Sequence, residues 1–206
     1  MKDEKYHDYV IKNGKFIGKF EEMYRNCADP WYQDTKKFPY KELSVELLIK
    51  LGYKKFNRIL DIGCGKGKFT NFIRNKFSNV DVYGIDISET AVKIARERYP
   101  GIIFQTVDVT NQSIIYSCFD CIFMTEVIWY VIPNLVDIFS QIREGLKHSN
   151  GIFILNNHLY QDGDQKYGRE HITTIETLIE KLPFNILYIL ENNRFNDYNV
   201  SIICKP

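Results

Sequence analysis

Along residues 57–156 the apolar positions come in short runs, and the stretches between them carry helical spacing. Ile59, Leu60 and Ile62 form a run suited to a strand buried on both faces. Runs of the same kind recur at 80–85, 102–107, 119–124 and 151–156. The intervening segments 66–77, 89–98 and 134–147 read as helices. Strand and helix in alternation predict parallel strands joined by crossover helices. Upstream, Leu43, Val45, Leu47, Leu48 and Leu51 fit an amphipathic helix from Tyr40 to Leu51, ended by Gly52. Downstream, a helix near 173–181 precedes strands at 185–190 and 198–204. The turn-rich Glu191–Asp197 stretch predicts that these two close as a hairpin at the sheet edge.

The first 40 residues lie outside this alternation and are rich in aromatic side chains, among them Tyr6, Tyr9, Trp31, Tyr32 and Phe38. Phe16, Phe20 and Tyr24 are spaced as on one face of a short helix, and Asp29-Pro30-Trp31-Tyr32 breaks it, because the Pro30 ring disfavours helical geometry at Asp29. The segment either packs on the domain or forms a lid. In the second case Trp31 and Tyr32 offer large faces for closing over a ligand or holding a sulfonium by cation–π attraction.

The 206 residues, 45% hydrophobic and 26% charged, suit a single globular domain over the whole chain, 1–40 as the covering segment and 41–206 as the core. A net charge of +1 provides no electrostatic case for a nucleic-acid or membrane-surface partner. The N-terminus lacks an apolar signal core, and later apolar runs are broken by acids before a spanning length, so the expected location is cytoplasmic. Five cysteines are spread along the chain. Cys118 and Cys121 have C-x-x-C spacing, but no second Cys or His pair stands near them, so they read as reduced thiols and no metal is expected.

The candidate chemistry centres on Ile59-Leu-Asp-Ile-Gly-Cys-Gly-Lys-Gly-Lys-Phe-Thr70, a strand running into a glycine turn and a helix. No register supplies the spacing of a P-loop, and the third glycine of a dinucleotide fingerprint is replaced by Lys68. In a doubly wound sheet, ligands bind beyond the C-terminal strand ends. Acids stand at each of these ends, namely Asp61, Asp86, Asp108 and Glu126, and all four are expected on one rim. Singly, each has a plainer reading as a cap, a turn former or a solvated charge.

The Asp61-x-Gly63-x-Gly65-x-Gly67 pattern with its train of acids resembles the class I S-adenosylmethionine (SAM) dependent methyltransferases. The resemblance covers roughly residues 40–160 and implies a Rossmann-like, doubly wound α/β fold, a seven-stranded sheet with its last strand antiparallel. It implies SAM as cofactor and S-adenosylhomocysteine (SAH) as product. Asp86 is then suited to the ribose hydroxyls, Ile87 to the adenine face, Asp108 to the adenine amino group and the Val109 N–H to a ring nitrogen. Gly63, Cys64 and Gly65 would hold the amino acid end beside Asp61, Thr125 and Glu126 would face the sulfur, and Trp31 would close over it. Asp29-Pro30-Trp31 and Thr125-Glu-Val-Ile-Trp-Tyr-Val131 look more narrowly like the NodS-like branch of N-methyltransferases.

Methyl transfer is an in-line displacement that needs alignment and exclusion of water, and a base only if the acceptor must lose a proton. Candidate bases are His158, just after the fifth strand, and His171; Glu126 and Tyr130 are placed to orient the acceptor. The polar stretch 158–170, with Tyr160, Lys166, Tyr167 and Arg169, reads either as a solvated loop or as acceptor contacts. The acceptor expected is a small polar molecule: a sugar, an amino sugar or a phosphate- or phosphoramidate-bearing precursor, as in surface-glycan modification. A nucleotide-binding module without catalysis is the rival reading.

Overall fold

The computed structural model describes residues 8–35, 39–112, 118–146, 150–159, 167–168, 170–194 and 197–206. Tyr6, Phe38, His148, Tyr160, Lys166 and Arg169 lie outside the described residues.

The core is a seven-stranded sheet in the order β5 (Ile103–Thr106), β4 (Asp81–Asp86), β3 (Arg58–Ile62), β6 (Cys121–Thr125), β7 (Ile152–Leu159), β9 (Asp197–Lys205), β8 (Asn185–Arg194). The first five are parallel, and β9 runs antiparallel to both β7 and β8. Strand order reverses between β3 and β6, which places a crevice at their C-terminal ends. Crossover helices α3 (Lys68–Lys76), α4 (Glu89–Arg98) and α5 (Leu135–Gly145) link the parallel strands, with α2 (Pro39–Lys50) ahead of them and the short α6 (Ile175–Ile179) after.

Both faces of the sheet are buried, which is why its parallel strands read as continuous apolar runs. Ile59, Phe123, Ile154 and Ile203 pack with Val45 and Leu48 of α2, Ile73 of α3 and Val92 of α4. Leu60, Ile122, Met124 and Phe153 on the opposite face pack with Ile138, Phe139 and Ile142 of α5. A third cluster joins Tyr9, Val10, Met23, Tyr24 and Cys27 to Ala91 of α4, so the N-terminal segment is fastened to the core.

Several boundaries differ from the sequence reading for identifiable reasons. Phe16 is not on the helix with Phe20 and Tyr24. It ends a small hairpin, β1 (Ile11–Lys12) and β2 (Lys15–Phe16), turned by Asn13 and Gly14 at φ 52° and 73°. An Asn-Gly pair with both φ positive suits a two-residue hairpin. The helix α1 (Phe20–Asn26) follows, and Phe16 still reaches Phe20, ring centres 6.1 Å apart. Strand β7 continues through Asn156, Asn157 and His158, so His158 lies inside the strand rather than after it. Likewise most of Glu191–Asp197 is ladder, not turn; the hairpin closes between Arg194 and Asp197. Pairing with β9 on one side overrides the turn preference of the asparagines.

Candidate active site

The turn after β3 is shaped by Gly63, Gly65 and Gly67, all at positive φ (76°, 53° and 81°). A Cβ on Gly63 would stand 2.2 Å from Val127 Cγ2, and one on Gly65 would stand 2.8 Å from the Tyr24 hydroxyl. No side chain fits at either position. The Gly63 and Cys64 N–H groups donate to the Ile85 carbonyl at 2.8 and 3.0 Å, and the Gly65 N–H donates to Asp86 at 2.9 Å, which ties the turn to the end of β4. The other Asp86 oxygen accepts from the Ser88 N–H at 2.9 Å, and Ser88 in turn caps α4 through the Ala91 N–H. Burial raises the Asp86 carboxyl above its usual range, against the pull of these N–H donors, and the nearby Glu21 charge adds to the rise.

A cavity of about 1200 Å³ opens over this rim. Asp86, Ile87, Asp108, Val109, Thr125, Glu126, Tyr130, His158, Gly63 and Trp31 all line it. Ile87 is 45% exposed, an apolar face turned into the cavity next to Asp86. Asp108 accepts from the Thr110 N–H and hydroxyl and from Asn111. Those bonds outweigh burial and hold its carboxyl below the usual range.

The remaining positions differ from expectation. Asp61 is 1% exposed and Cys64 is 3% exposed, and with Gly65 they are buried behind the cavity wall. One Asp61 oxygen accepts from the Thr70 hydroxyl at 2.6 Å and the other has no hydrogen-bond partner. Burial pushes the Asp61 carboxyl up to about 7, against the pull of Thr70 and of the Lys41 charge, while Asp86 adds to the rise. His171 is exposed and faces Glu170 at 3.6 Å, away from the cavity-lining set.

Residues that the sequence reading missed come from elements far away in the chain. The Tyr40 hydroxyl, at the start of α2, donates to Glu126 Oε1, and the His158 backbone N–H donates to the same atom at 2.9 Å. Glu126 itself sits at φ 59°, a strained setting for a non-glycine residue. Lys41 also lines the cavity; burial lowers its pKa, opposed by Glu126 and Asp61. Overhead, Tyr130 contacts Phe16, Phe20 and Trp31 with ring centres 6.3, 5.2 and 5.7 Å apart. This cover is latched at both ends. Glu21 accepts from the Ser88 and Thr90 hydroxyls at 2.6 Å each and from the Thr90 N–H; these donors outweigh burial and hold its carboxyl at about 2. Farther along, Lys66 and Lys68 donate to the Ala28 and Gln33 carbonyls, and Arg98 pairs with Asp34 at 3.1 Å.

Among the described residues, no group of three or more His, Cys, Asp or Glu is placed to hold a metal ion, and no helix is long and apolar enough to cross a membrane.

Residues 59–149 match a family model described as a methyltransferase domain. A protein of Invertebrate iridescent virus 6 named as a methyltransferase is 26% identical over 82% of this chain, and the match spans 59% of the viral protein's length. The carboxy-S-adenosyl-L-methionine synthase of Campylobacter hominis is 25% identical over 94% of this chain and 82% of its own. Among solved structures, the N-methyltransferase NodS of Bradyrhizobium japonicum, in complex with SAH, superposes with a TM-score of 0.71 over 94% of this chain and 98% of that one. At 18% identity that likeness is one of fold.

Proposed function

The chain belongs to the class I SAM-dependent methyltransferases, and from that premise we propose that it transfers a methyl group from SAM to oxygen or nitrogen of a small polar acceptor. The observation that carries this reading is the gathering of Asp86, Ile87, Asp108, Val109, Thr125 and Glu126 around one cavity. At about 1200 Å³ the cavity exceeds the usual room for one small ligand, which suits a cofactor and an acceptor side by side.

The residues fit the cofactor. Asp86 keeps lone pairs for ribose hydroxyls beyond the two N–H bonds it accepts, and Ile87 presents an apolar face for the adenine. SAM supplies the electrophilic methyl. The chain's own part is to align the acceptor lone pair with the bond that breaks, and to keep water out with Phe16, Phe20, Trp31 and Tyr130. Glu126, fixed through Oε1 by Tyr40 and His158, is set to orient the acceptor and take its proton where one must leave. A sugar, an amino sugar or a phosphate-bearing precursor, as in surface-glycan modification, is the acceptor we favour.

The test is incubation of the purified chain with methyl-labelled SAM and a small-molecule extract. Label appearing in a low-molecular-weight product supports transfer. Cofactor binding with no transfer to any component supports instead a binding module without catalysis.

A further inference from the structure

On the sheet face that meets α2, side chains in register form rows across the strands. The deep row is apolar, Phe123–Ile154–Ile203. Two residues nearer the crevice it becomes Thr125–Asn156–Ser201, and two further on His158–Asn199–Asn192. Asn156, Ser201 and Asn199 are 0%, 2% and 8% exposed, and Asn156 Oδ1 has no hydrogen-bond partner. Burying polar side chains here, one of them with an amide oxygen unpaired, costs stability, and packing against α2 would be served better by valine or isoleucine. Positions where a fold departs from its own pattern at a stability cost are functional candidates.

Thr125, Ser201, His158, Asn199 and Asn192 line the same cavity, on the side away from Asp86 and Asp108 in strand order. None of them carries a fixed charge. Among the described lining residues, the charged groups are the carboxylates of Asp86, Asp108, Glu126 and Glu191 against the single ammonium of Lys41. An anion entering here meets more carboxyl groups than ammonium groups among those residues.

We propose that this floor of amide, hydroxyl and imidazole groups is the acceptor subsite, and that it takes a hydroxyl-rich acceptor bearing no negative charge. The assignment rests on the methyltransferase reading and narrows it: sugars and amino sugars fit, and phosphorylated precursors do not. Amide and hydroxyl side chains both donate and accept, which matches hydroxyl groups, whereas among the described lining residues a carboxylate or phosphate would find Lys41 alone as a cationic partner.

The experiment is saturation-transfer NMR on the intact chain saturated with SAH, with maltotriose and N-acetylglucosamine as neutral probes and glucose 6-phosphate and citrate as anionic ones. Neutral probes are expected to bind at least tenfold more tightly than the anions. In Asn192→Ala, an exposed position that leaves the core intact, neutral-probe affinity falls about fivefold and SAH affinity stays within twofold; Asn199→Asp has the same effect at the centre of the floor. Preference for the anions, no neutral-probe binding, or unchanged affinity in Asn192→Ala overturns the floor assignment while SAH binding stands. Failure of the wild-type chain to bind SAH overturns the reading beneath it.

Discussion

The two ends of the cavity are built in opposite ways. At the β3–β4–β5 end the acids sit in local turns: Asp86 accepts from Ser88 two residues on, and Asp108 accepts from Thr110 and Asn111, while Gly65 donates to Asp86 across the β3–β4 pair. At the β6–β7–β9–β8 end the groups meet only through tertiary register, as with Tyr40 and Glu126, 86 residues apart, or His158 opposite Asn199. A site made of turns keeps its shape through backbone geometry, whereas a site made of register can change specificity one side chain at a time. That division suits a constant cofactor and a variable acceptor.

Disrupting the first end is expected to cost most. Gly63→Ala combines a left-handed φ with a Cβ 2.2 Å from Val127 Cγ2. It should destabilise the protein by about 2–3 kcal/mol in urea titration. Gly101→Ala, whose Cβ meets nothing within 4 Å, should change little. Equal losses from both would dissolve the contrast.

Asp61→Asn should have the next largest effect, and in the opposite sense. With its pKa raised from 3.8 to about 7, folded Asp61 holds a proton that the unfolded chain releases, so wild-type stability falls as pH rises between those values. The asparagine variant should be more stable on the order of 2 kcal/mol at pH 8, with the gain gone near pH 4. Chemical denaturation at pH 4, 6 and 8 measures this, and a pH-independent difference would show that Asp61 is charged throughout.

At the register-built end, Tyr40→Phe removes one of the two donors on Glu126 Oε1. Turnover is expected to drop about tenfold, equivalent to about 1.4 kcal/mol, with SAH affinity unchanged. A parallel loss of SAH affinity would mean that the two ends are not separable. The smallest effect belongs to the latch. Glu21, held at about 2 against an ordinary 4.5, contributes stability that is present above pH 4.5 and lost as pH falls toward 2. Its side chain is 34% exposed, so Glu21→Gln should cost only about 0.5 kcal/mol, read as faster proteolysis of the N-terminal segment at pH 7.

The same division explains what could be read from the chain alone. Asp86-Ile87-Ser88 and Asp108-Val109-Thr110 announce themselves because a strand end, an acid and a turn stand together in sequence, and the glycine turn is marked by its spacing, although Val127 and Tyr24, distant in sequence, are what leave no room for a Cβ at Gly63 and Gly65. Tyr40 and Lys41 look like the first turn of an ordinary amphipathic helix until α2 is laid across the sheet. Asn192 reads as a turn former and Asn199 as one residue of an edge strand; only the β7–β9–β8 ladder turns them into one row with His158. Asn13-Gly14 was legible as a hairpin turn, but the i, i+4, i+8 spacing of Phe16, Phe20 and Tyr24 competes with it and points to a helix. Asp61 was expected on the rim with the other acids, but spacing cannot tell a lining acid from one buried behind the wall, where Asp61 sits.

The most direct test of the central claim is titration calorimetry of SAH into the intact wild-type chain beside Asp86→Ala. Saturable binding near one molecule per chain is expected in the wild type, and binding about 100-fold weaker in the variant, as loss of a charged acceptor shared by Gly65 and Ser88 implies. A wild-type chain that takes up no SAH, or a variant that binds it equally well, would contradict the account.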